Sequence, residues 1–132
     1  MFETGTSVRV RAAHVMPGAE GPEGELHEHD YRIEVVVGRR DLDDRGMVID
    51  LDVLEAALHD VAGEVDGADL EQIRPREAEA VTVEIFARWA HGRLSPAVRR
   101  AGAEELTVRV WESAEAFGGY RAGFDGASTS SA

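Results

Sequence analysis

No cysteine occurs in the 132 residues, so neither disulfides nor thiol chemistry is open to this chain. Basic residues are scarce as well: 14 stand against 26 acidic ones, for a formal net charge of −12. Nucleic acid and anionic membrane both reward a basic surface, so neither is expected as a partner. No apolar run approaches the roughly 18 residues that a membrane span needs, and no secretory leader pattern opens the chain. A cytoplasmic location is therefore expected. What remains is globular in composition, 43% hydrophobic and 30% charged. The length suits one domain, expected over residues 1–124, with a small polar tail, Asp125–Ala132, expected to be disordered. A core of this size gains from association with further copies. No internal repeat of repeat-protein length is present.

The order along the chain is strands, helices, strands. Alternation of apolar and charged residues predicts strands at about Thr6–Val15 and Glu28–Gly38, separated by a Gly/Pro/Glu loop from Pro17 to Gly24. Asp43-Asp44-Arg45-Gly46 is a turn signal, Met47-Val48-Ile49 a short extended stretch, and Asp50 an N-cap. Leu51, Leu54, Leu58, Val61 and Val65 then form one helical stripe, with His59 off it and solvated. A second helix is expected over about Arg76–Gly92 on the stripe Ala78, Val81, Ile85, Trp89, with Gly92 as its stop and Arg93–Ala103 as a loop. A third strand is expected at Glu104–Ser113 and a weaker fourth at Phe117–Phe124.

Three histidines end the apolar stripes of the first two strands. Val8, Val10, Ala12 and His14 share one face; His27, His29, Tyr31, Ile33, Val35 and Val37 share another. An imidazole facing inward needs a partner or a metal. Three that converge leave a fourth position open, which is the catalytic arrangement of zinc. Glu112 repeats the pattern, following Leu106, Val108 and Val110. A carboxylate at a pocket mouth accepts two hydrogen bonds from a ring N–H and its neighbouring amino group, the edge that guanine-like and pterin-like heterocycles present.

Several motifs, in order, carry a family resemblance: Ala12-Ala13-His14, Leu26-His27-Glu28-His29-Asp30-Tyr31, Gly46-Met47-Val48-Ile49-Asp50-Leu51, Ala78-Glu79 and Val110-Trp111-Glu112-Ser113. With them the chain resembles the 6-pyruvoyl- and 6-carboxy-tetrahydropterin synthases from Val8 to Phe124. The resemblance implies an α+β tunnelling fold, a four-stranded antiparallel sheet with two helices on one face. Its subunits join edge to edge into barrel-like trimers or hexamers, with sites between subunits. It also implies that His14, His27 and His29 bind Zn2+, that Glu112 anchors a pterin-like substrate, and that Glu79 is a second pocket glutamate.

The departures from the family pattern fall on the acid/base parts. Glu23 stands where synthases of the family have a cysteine. Of the Asp-His pair after the first helix only Asp66 is kept, with Gly67 in place of the histidine. Glu23 and Asp66 are therefore the candidate catalytic residues, and His91 is a candidate to supply an imidazole from a neighbouring subunit. Relatives with glutamate at the Glu23 position resemble side-chain-cleaving lyases acting on dihydroneopterin-type substrates. The expectation is a zinc-dependent lyase-type protein acting on a reduced pterin or related purine-derived heterocycle. The alternative is a zinc-containing pterin binder without turnover.

Overall fold

Long-range strand pairing sets the frame. The computed structural model describes residues 1–16 and 18–124, with only the backbone of residues 22 and 23. The tail expected to be disordered lies outside the described residues. β1 (Phe2–His14) and β2 (His27–Arg39) pair antiparallel over their full length, from Phe2 opposite Arg39 to His14 opposite His27. β3 (Glu105–Trp111) and β4 (Phe117–Gly123) complete one antiparallel sheet in the order β1-β2-β3-β4. β1 begins earlier than its alternation suggests, because the far end of β2 recruits Phe2 to Gly5 into the ladder. β3 stops at Trp111, which leaves Glu112 in the tight turn to β4, where its N–H donates to the Ala116 carbonyl at 3.1 Å.

One face of the sheet is apolar: Val10, Ala12, Tyr31, Ile33, Val35, Val37, Leu106, Val108 and Val110 are all buried. The other face carries exposed ion pairs, Arg11 with Glu28 and Asp30, and Arg121 with Glu105. Ion pairs this exposed are screened by solvent and add little to stability. The helices cover the apolar face, where burial stabilises by about 25 cal/mol per Å².

α1 (Leu51–Val65) starts at Asp50, whose carboxylate accepts the Asp52 N–H at 2.9 Å. It buries Leu54, Leu58, Val61, Ala62 and Val65, while Leu51, expected on that stripe, is exposed. The helix ends at Asp66, and the segment after it runs along the free edge of β1. The Ala13 N–H donates to the Ala68 carbonyl at 2.9 Å, and the Gly67 N–H donates to the Arg11 carbonyl at 2.7 Å.

α2 is Val83–Arg100, not the expected Arg76–Gly92. Thr82 caps it, accepting the Ile85 N–H at 3.2 Å, and so sets a later start than Pro75 suggested. It also runs through Gly92 and Pro96, both exposed, so that water can take the bond Pro96 cannot make. Its buried face is Phe86, Ala87, Ala90, Leu94 and Val98, with Ile85 and Trp89 at the margin. No described helix is long and apolar enough to cross a membrane.

Candidate metal and ligand site

Register builds the site. His14 closes β1 directly opposite His27, which opens β2, and His29 follows on the same face. The ring centroids lie 4.9 Å apart for His14 and His27, 5.5 Å for His14 and His29, and 4.6 Å for His27 and His29. One nitrogen from each ring lies within 4.8 Å of the others. His27 Nδ1 is 2.8 Å from the Glu25 carbonyl, which only accepts, so the proton of a neutral ring sits on Nδ1. Its Nε2 lone pair then faces His29 Nε2 at 2.9 Å. This is the orientation that a metal-binding imidazole takes when a carbonyl fixes its tautomer. Three convergent, half-buried imidazoles, each offering one nitrogen, could hold a metal ion.

Beyond the histidines a cavity of about 510 Å³ opens between the sheet end and the start of α2. Tyr31, Thr82, Glu84, Glu112 and Ser113 line it with the imidazoles. Tyr31 is buried, edge-on to Phe86 with centroids 5.5 Å apart. Burial, and then the negative charge of Glu112, push its hydroxyl up to about 12, so it stays a donor at neutral pH.

Of the residues expected at the site, His14, His27, His29 and Glu112 come together. Glu79 lies outside, beside a neighbouring cavity that includes Glu77 and Arg88. The carboxylate that enters the histidine cavity from this segment is Glu84, on the first turn of α2. Gly118 of β4 makes room for it, since a Cβ there would sit 2.5 Å from Val83 Cγ2 and 3.0 Å from the Glu84 carboxyl. The readable signal was Thr82, an N-cap two residues before Glu84 and followed by an apolar run.

Asp66 is exposed, and its Oδ1 accepts the Arg11 backbone N–H at 2.9 Å instead of lining the cavity. Glu23 lies in the short 3-10 turn Gly21–Gly24, and its side chain is outside the described residues. His91 is buried in its own subunit, with Nε2 donating to the Leu106 carbonyl at 3.0 Å and the ring edge-on to Tyr120. An imidazole buried there does not reach a neighbour's cavity.

The sheet order, the helix pair and the residues of this cavity meet a matching family model, 6-pyruvoyl tetrahydropterin synthase, over residues 5–123. The chain belongs to that family. Its four-stranded antiparallel sheet with two helices is the family's tunnelling fold. The 6-pyruvoyl tetrahydropterin synthase of Plasmodium vivax superimposes with a TM-score of 0.70 at 13% identity, over 94% of this chain and 100% of that one. A variant of the P. vivax protein, with a glutamate that is a catalytic residue replaced by alanine, gives 0.72 at 14% over the same shares. The Caenorhabditis elegans 6-pyruvoyl tetrahydropterin synthase gives 0.68 at 20%, over 92% of this chain and 95% of that one. At these identities the likeness is one of fold. No curated protein sequence matches the chain significantly.

Proposed function

We propose that this member of the family is a zinc-dependent protein that acts on the side chain of a reduced pterin or a closely related purine-derived heterocycle. One observation supports this most: a single cavity sets three convergent imidazoles opposite two glutamates, Glu84 and Glu112. His14, His27 and His29 would hold the metal, which when bound supplies Lewis-acid polarisation of substrate oxygens. Glu112 accepts the paired N–H groups of the heterocycle edge, and its place in a closed turn fixes the ring relative to the histidines. Tyr31, held protonated, donates from the cavity wall.

Glu23 is the proposed general base for the side chain. The P. vivax protein, with its catalytic glutamate, is a relative in which a carboxylate carries a catalytic role. The missing cysteine and the glycine at position 67 argue against the parent synthase reaction and for lyase-type cleavage. The same two losses favour the second reading, a zinc-containing pterin binder without turnover.

Assembly belongs to the proposal. Outside the stretch covered by 66–69, β1 has no strand on its outer side among the described residues, and β4 is the other sheet edge. Open edges favour pairing with further copies, here as a trimer or hexamer. Anaerobic incubation of the zinc-loaded protein with dihydroneopterin and with its triphosphate, followed by product analysis, tests the activity. A cleaved side chain supports the lyase reading. Binding without product leaves the binder, and neither binding nor product refutes both.

A further inference from the structure

We infer that Trp111, held by Glu34, is a positioning residue for Glu112 and so sets the orientation of the heterocycle; this rests on the pterin reading above. Glu112 is exposed, and among the described residues no hydrogen bond or ion pair restrains its carboxylate. Its aim into the histidine cavity therefore comes from the backbone on either side. β3 ends at Trp111, directly before Glu112, and β4 begins at Phe117, directly after the turn. Trp111 and Phe117 are register partners, their ring centroids 4.6 Å apart on the sheet face opposite the buried Val108 and Val110.

Three strands clamp the indole. Its Nε1–H donates to the Glu34 carboxylate at 3.0 Å, a charge-assisted bond from β3 to β2. Arg109 lies 3.4 Å from the same carboxylate oxygen, and its guanidinium is 5.5 Å from the Phe117 ring centroid. Arg32, the register partner of Trp111 on β2, lies 4.8 Å from the indole centroid, where the ring face attracts a cation. On its other side Arg32 meets Arg9 of β1. Like charges opposite one another repel, which favours Arg32 over the ring. Within the turn, the Glu112 N–H donates to the Ala116 carbonyl and Ser113 Oγ accepts the Ala116 N–H, both at 3.1 Å. Side chains thus fix the neck of the turn, and bonds of its own fix the tip.

The clamp joins the two halves of the site. Arg32 and Glu34 stand on the strand that opens with His27 and His29. Arg32 with Trp111 is the last ladder pair of β2 and β3, and the indole bond holds that pair closed. Without it the fold survives on its remaining pairs, but Glu112 is no longer held at a set distance from the imidazoles. A displacement of about 1 Å in a group that positions substrate can cost about a hundredfold.

The test is calorimetric titration of zinc-loaded variants with dihydroneopterin, with zinc affinity measured on the same preparations. Trp111→Phe keeps a stacking ring and removes the donor, Glu34→Ala removes the acceptor, and Glu34→Gln keeps an acceptor oxygen. Trp111→Phe and Glu34→Ala should each weaken dihydroneopterin binding about tenfold. Glu34→Gln should stay within about twofold of the unaltered protein. Zinc affinity should hold in all three, because the Glu25 carbonyl and the β1–β2 pairing place the histidines independently. Unchanged dihydroneopterin binding in Trp111→Phe and Glu34→Ala overturns the inference and leaves the pterin reading standing. So does a loss that Glu34→Gln fails to recover, or one matched by a fall in zinc affinity, since Trp111 would then be a general support of the sheet. Failure of the unaltered protein to bind dihydroneopterin overturns the pterin reading and the inference together.

Discussion

Zinc should raise the melting temperature of this protein by about 10 °C, and His27→Ala should remove the effect. The three histidine nitrogens already lie within 4.8 Å of one another, and the Glu25 carbonyl fixes the His27 ring. Little of the binding free energy is then spent on ordering the site. A ligand that binds only the folded state stabilises it by about 2.7 kcal/mol at about a hundredfold excess over Kd. Unfolding entropy of about 2.1 cal/mol/K per residue amounts to about 0.28 kcal/mol/K over 132 residues. The quotient is a shift of about 10 °C. Differential scanning calorimetry of chelator-treated protein, with and without added zinc, reads it directly. The increment should shrink as the buffer is acidified, because a protonated imidazole has no lone pair for a metal. No shift with zinc, or an equal shift in His27→Ala, would refute the reasoning.

Glu112→Gln should weaken pterin binding, by about 1.5–3 kcal/mol for each charge-assisted bond lost, whereas Glu23→Gln should spare affinity and lower turnover about a hundredfold; titration and product assays on both variants separate the roles. Phe86→Ala empties the centre of the core beneath Tyr31 and should cost about 3–5 kcal/mol in urea unfolding; a loss below about 1 kcal/mol would show that the core packs otherwise. Burial lowers the His91 pKa below its ordinary 6.5, only partly offset by its bonds to Leu106 and Ala122. The unfolded chain therefore takes the proton more readily, and stability should fall as pH drops below about 6.5; melts across that range should be flatter for His91→Gln. Gly67→His meets no atom within 4 Å, yet φ of +77° should cost about 1–2 kcal/mol, seen as a lower melting temperature; an unchanged melt would refute the strain.

The site was legible wherever strand alternation carried it. His14, His27 and His29 each end an apolar stripe, and a period of two leaves no freedom about the face they share. Glu112, one residue beyond β3, continues the same alternation and lines the histidine cavity. The helix side was read less well. Pro75 suggests too early a start for α2 and Gly92 too early an end, and the carboxylate that lines the histidine cavity from this side, Glu84, stands on the first turn of the helix as it forms. Propensity at single glycines and prolines is a weak signal when tertiary burial of Phe86, Leu94 and Val98 favours a continuous helix. The cover over the β1 edge could not be read at all, since it depends on contacts 55 residues apart.

That cover bears on how the chain departs from its family. The 66–69 segment donates from Gly67 to the Arg11 carbonyl, accepts at Ala68 from the Ala13 N–H, and accepts at Asp66 from the Arg11 N–H. These bonds hold the last residues of β1 in register just before His14. A glycine with φ of +77° lets the backbone turn after α1 and meet that edge, a conformation a histidine adopts only with strain. The segment that would have carried a proton-transferring imidazole is here bound up with placing a metal-ligand candidate. On the proposed lyase reading, proton transfer falls to a loop residue such as Glu23, while metal and ring contacts stay with the strand ends. If this division holds, changes in the Glu20–Glu25 loop should alter which bond is cleaved without altering zinc affinity, and changes at 66–69 should do the reverse.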